Sequence, residues 1–249
     1  MEFTVQDIIS LHVSISFNGV KHETLRDKLA QIERSQFISG IVTSDTFLQY
    51  VDKHIPSLRL AGNGFKILVY RDLIELIIST QIENMSEVQI SKTNISHEEL
   101  FAKNNLQKVN VDFNAIVGYI IGRLEISYDA TKFTLGLNLR NPDTHYHENM
   151  FEKKAIPTLQ SLVDESTKIQ SINPEFKTRE VFLDRQADVY YNFYTQKPSH
   201  QNKTDAVIFS GVINFENTGV QDLNLLLDTY LNRINGMAEK LMGGLKANA

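Results

Sequence analysis

Residues 141–154, Asn-Pro-Asp-Thr-His-Tyr-His-Glu-Asn-Met-Phe-Glu-Lys-Lys, crowd two histidines, three carboxylates and a lysine pair into one short run. If the run is extended, Asp143, His145 and His147 project to one side, because alternate residues of a strand share a face. With Glu152 they offer imidazole and carboxylate donors of the kind that zinc, manganese or iron accepts. Such a centre would serve a metal-dependent hydrolase or nuclease, and a divalent metal is implied on that alternative only. The simpler reading is a solvated loop between two ordered elements. Asn141-Pro142-Asp143 is turn chemistry, and the polar residues after it show no period.

Family patterns do not rescue the metal centre. The His-x-His-x4-Glu spacing of His145, His147 and Glu152 resembles the ligand core of the cupin family. Leu139 and Leu159 stand where that motif has glycines, and its second histidine motif is absent, so the family is rejected. Pro142-Asp143 with Glu152-Lys153-Lys154 resembles the PD-(D/E)xK nuclease pattern, in which two carboxylates hold Mg²⁺ and a lysine polarises water. That chemistry needs both halves on adjacent strands, and the Glu152 half is short, mixed and runs into an expected helix over 156–169. There is no Gly-x-Ser-x-Gly elbow, and Gly62-Asn63-Gly64 lacks the Lys-Ser/Thr of a phosphate loop. Asp184, Arg185 and Asp188 are charged but form no motif.

The elements around this run are legible from period. Ile9, Leu11, Val13, Ile15 and Phe17 alternate with polar residues as one strand, ended by Asn18-Gly19. Leu25, Leu29 and Ile32 predict a helix over 22–34, and Asp45 is placed as the N-cap of a second helix ending before Pro56. Strands are expected at 65–70, 73–80 and around Val88 and Ile90, and Ser96 with Glu99 forms a capping box ahead of a short helix. The apolar run 116–128 reads as a long buried strand in a hairpin with Phe133–Leu139. Val189, Tyr191 and Phe193 alternate in a further strand, as do Val207, Phe209, Ile213 and Phe215.

The sharpest period comes last. Leu223, Leu227, Tyr230, Ile234, Met237 and Leu241 are spaced four, three, four, three and four, a heptad seam on a helix from about 221 to 242, with Gly243-Gly244 as its stop. The seam serves as a lid across a sheet or as an interface between two copies of the chain.

Composition bounds the remainder. The 249 residues are 42% hydrophobic and 22% charged, ordinary for a packed protein, and the net charge of -5 argues against duplex nucleic acid as a main partner. Cysteine is absent, which excludes disulfides, thiolate nucleophiles and cysteine-based zinc sites. No apolar stretch approaches the ~20 residues of a membrane span, and no signal peptide opens the chain, so a soluble cytoplasmic protein is expected.

The expected fold is α+β: a curved, mostly antiparallel sheet covered by helices, with a long C-terminal amphipathic helix. The order is similar to that of helix-grip folds. One domain spanning 1–249 is expected, with two halves split near 110 as the alternative. The leading functional expectation is a non-enzymatic binding or adaptor protein that self-associates, as a dimer, partly through the C-terminal helix. The alternatives are the metal-dependent hydrolase or nuclease centred on 143–154 and a carrier of a small apolar ligand beneath the last helix.

Overall fold

The computed structural model describes residues 2–19, 42–47, 58–62, 64–79, 95–141, 175–196, 206–216, 219 and 221–246, with the backbone alone at 42–47, 176, 195–196 and 240–246. Among these residues nine strands form one sheet. They are β1 (Ile8–Ser16), β2 (Val42–Phe47), β3 (Leu58–Gly62), β4 (Phe65–Val69), β5 (Leu73–Ser79), β6 (Lys132–Asn141), β7 (Glu175–Phe182), β8 (Arg185–Gln196) and β9 (Ala206–Glu216). Their order is β2-β3-β4-β5-β1-β6-β9-β8-β7, and every pairing is antiparallel.

Alternation decides which face is packed. Ile67, Leu76, Val13, Leu135, Ile213 and Val189 stand directly opposite one another across six neighbouring strands, and all are 0% exposed. Each such burial contributes about 1.5–3 kcal/mol relative to exposure. The intervening residues turn to the other face, which is polar along the central strands. There Asn138 donates to Ser10 Oγ at 2.9 Å, Thr134 donates to Asn214 at 2.8 Å, and His12 lies 3.6 Å from Glu75.

Helices cover the apolar face. A short helix α1 (His97–Leu100) starts on the Ser96–Glu99 capping box, and His97 Nε2 sits 2.7 Å from the Ile8 carbonyl. Helix α2 (Lys103–Arg123) buries Leu106, Val109, Phe113, Ile116, Val117, Ile120 and Ile121 on one stripe. It ends with Glu125 in the left-handed region, φ 55°, while the Ile126 N–H reaches back to the Ile121 carbonyl at 3.0 Å. Helix α3 (Leu223–Lys246) lies beside α2, tied by Lys103 Nζ to Asp228 Oδ2 at 2.6 Å. Asn235 clasps the N-terminal segment, accepting from Phe3 N–H at 2.7 Å and donating to the Phe3 carbonyl at 2.8 Å.

Four expectations are corrected. The run 116–128 is not a strand: up to Arg123 it is the second half of α2, because its apolar residues continue the three-and-four spacing begun at Leu106, Val109 and Phe113. The expected hairpin therefore does not exist, and β6 pairs with β1 and β9 instead. Asp45 caps no helix; it lies within β2 opposite Leu60, in a stretch whose Val42, Thr43, Thr46 and Phe47 favour a strand. Gly243-Gly244 does not stop α3, which continues to Lys246, since glycine weakens a helix by about 1 kcal/mol but keeps its N–H donor. The helices expected at 22–34 and 156–169 and the strand around Val88 and Ile90 lie outside the described residues.

Candidate binding groove

Among the described residues β7 ends the sheet order, with β8 on one side of it. The two are joined by Leu183-Asp184, whose φ values of 47° and 62° give a two-residue type I′ hairpin turn. That turn sets the register in which Glu180 stands opposite Ala187 and Val189 stands opposite Thr178. It also brings Glu180 beside Tyr191, eleven positions away in sequence.

Packing beneath α3 fixes the inner wall. The Tyr230 ring meets Phe209, Tyr191 and Phe182 at 5.9, 5.8 and 6.0 Å between centroids, and its hydroxyl donates to the Tyr190 carbonyl at 3.2 Å. The approach requires Gly211, because a Cβ there would collide with the Tyr230 hydroxyl and the Phe209 ring. Beneath Tyr230 the described residues thus fill the space with aromatic rings.

Between the outer part of α3 and β7 a cleft of about 560 Å³ remains, lined by Glu180, Val181, Tyr191, Arg233, Gly236 and Met237 among others. Glu180 Oε1 accepts from Thr178 Oγ1 at 2.6 Å and from Tyr191 Oη at 3.0 Å, so the carboxylate is held in one orientation. The Tyr191 hydroxyl is pushed above its ordinary range, first by burial and then by its bond to the Glu180 carboxylate. Tyr230 is raised as well, again chiefly by burial. Across the cleft the exposed Arg233 guanidinium lies 5.9 Å from the Phe182 ring centroid, a cation–π contact. Val181 is 51% exposed on the rim.

The charged residues read from sequence fall around the same hairpin. Asp188 is held by Arg179, Nε to Oδ1 at 2.8 Å and Nη2 to Oδ2 at 3.3 Å. This bond keeps the Asp188 carboxyl below the usual carboxylate range and the Arg179 guanidinium above its own. Asp184 occupies the turn. Along β8, Tyr191 and Phe193 are fully buried, whereas Tyr190 and Tyr194 stand half-buried on the other face.

Asp143, His145, His147 and Glu152 lie outside the described residues, as does Lys154. Among the described residues no three His, Cys, Asp or Glu side chains are grouped to hold a metal ion. In the heptad seam, Leu223, Leu227, Tyr230 and Ile234 are at most 1% exposed within this chain's own core, and Met237 packs against that core. Leu241 belongs to α3, but its side chain lies outside the description. No described helix is long and apolar enough to cross a membrane.

Sequence reasoning missed the groove because no local motif marks it. Glu180, Tyr191 and Arg233 come from three elements, and the one available signal was the Thr-x-Glu-x-Phe alternation of 178–182 ahead of a turn. Compared with protein-family models, with curated proteins and with solved structures, the chain shows no match.

Proposed function

We propose that the chain is a non-enzymatic binding protein that receives an extended segment of a protein partner along β7, with α3 as the second wall of the groove. The observation that carries this reading is the coincidence of a sheet edge among the described residues with a cleft beside it that Glu180, Tyr191 and Arg233 line. An edge strand presents a row of backbone donors and acceptors, so an added strand gains main-chain hydrogen bonds, and the adjoining cleft reads its alternate side chains. Self-association was expected through the seam of the C-terminal helix; in this reading the helix instead contributes a wall of the groove. Engaging a partner through the seam would require four side chains already buried at home to leave their places.

The sheet's continuity supports treating the chain as one working unit: residue 110 lies inside α2, and β1 pairs with strands from both sides of that position. Selecting binders from a displayed library of random peptides tests the function. Binders should emerge, and the rim substitution Val181→Asp should weaken them about tenfold while leaving the melting temperature unchanged. A library that yields none, or binders indifferent to Val181→Asp, would contradict the reading.

A further inference from the structure

The charges along β7 determine which segment fits beside it, an inference that rests on the strand-addition reading above. We infer that the occupant is a segment of a different protein, added antiparallel to β7, with the pattern acidic-x-basic-x-x-acidic. Antiparallel addition extends a sheet in which every pairing is antiparallel. Residues directly opposite each other share a face, so each position of the added strand is assigned by its β7 partner. Opposite Phe182 the occupant meets the Arg233 guanidinium that lies over that ring, and an acidic side chain suits it. Two residues on and on the same face, it meets Glu180. Both hydrogen bonds of that carboxylate fall on Oε1, leaving Oε2 for a lysine or arginine. Three residues further it meets Lys177, which faces the other side of the sheet beside Tyr190 and takes an acidic partner.

A second copy of β7 fits less well. Two-fold pairing across a continuous sheet opposes residues of the same face. The two longest registers within β7 are centred on Thr178, which opposes Lys177 with Arg179 twice, and on Arg179, which opposes two arginines; the shorter Lys177-centred register opposes two lysines but also pairs Glu175 with Arg179 twice. Like charges directly opposite destabilise a pair, so the longest self-pairings are disfavoured relative to a strand of complementary charge.

The test uses two synthetic peptides, one with the core Glu-Val-Lys-Val-Thr-Glu and one with its charges reversed, Lys-Val-Glu-Val-Thr-Lys. Affinity is measured by fluorescence polarisation against the full chain and its Arg233→Glu/Lys177→Glu variant, two exposed substitutions. The first peptide is expected to bind the unaltered chain about tenfold more tightly than the second, a preference the double variant abolishes or reverses. Equal affinities, or a preference the variant leaves untouched, overturn the pattern. If both peptides bind equally and slow amide exchange in β7, the groove stands and the charge pattern falls. If neither slows exchange there, the groove reading falls with it. A dimer with β7 amides protected before any peptide is added assigns the edge to a second copy and also overturns the proposal.

Discussion

At the scale of single residues, the helix-to-sheet contact depends on an absent side chain. Gly211 gives Tyr230 room to lie against Phe209 and reach the Tyr190 carbonyl. Gly211→Ala should therefore cost about 1–3 kcal/mol by overpacking, read as a lower midpoint in denaturant. Tyr230→Phe alone should cost about 1 kcal/mol for the lost hydrogen bond. Because it also removes an atom that the new methyl group would strike, the double variant should lose less than the sum of the two. A strictly additive cycle would mean that the hydroxyl is not the obstruction. Asp184 makes the opposite prediction. It holds φ 62° in the type I′ turn, where glycine is unstrained, so Asp184→Gly should stabilise the chain by about 1 kcal/mol, measured as a rise in melting temperature.

At the scale of elements, the most legible strands are those in which one face alone is apolar. β1, β6 and β8 announce themselves by alternation, because one side of each is packed and the other is not, whereas β4, β5 and part of β9 bury residues on both faces and read as apolar runs. α2 was illegible for a physical reason. Its second half is β-branched and nearly continuous in apolar residues, so a window opening at Ile116 shows no period, and only Leu106, Val109 and Phe113 restore it. Gly118 and Gly122, which look like strand bends, sit on the exposed side of the helix with nothing within 4 Å of a built Cβ. Alanine at either site should stabilise α2 by about 0.5–1 kcal/mol, and the two should add, which thermal denaturation of the single and double variants checks. β7 was passed over because its charged residues mask the alternation, and those charges are the ones the proposed occupant would meet. The candidate site was illegible because its parts are remote in sequence, and only the hairpin turn and α3 bring them together.

For the whole molecule, burial of tyrosines against α3 links stability to alkaline pH. The folded state raises the Tyr191 and Tyr230 hydroxyls above their ordinary value of 10.0, so neutral phenols are favoured in the fold. Their contribution is fully present below pH 10.0 and is lost as pH rises beyond it, because the unfolded chain ionises first. Each group should steepen the loss by up to about 1.4 kcal/mol per pH unit, and Tyr191→Phe should flatten the slope between pH 10 and 12. A stability profile unchanged by that substitution would place Tyr191 in a wetter setting than the cleft floor.

The groove itself is tested most directly by amide hydrogen exchange over the full chain, with and without a peptide selected from the displayed library. New protection should appear in residues 175–182, because an added strand takes the outward-facing backbone groups of β7, with smaller changes along the facing turns of α3. Protection confined to the polar face of β1 and β6, or to the buried seam of α3 after its release from the sheet, would place the binding surface elsewhere and contradict strand addition at β7.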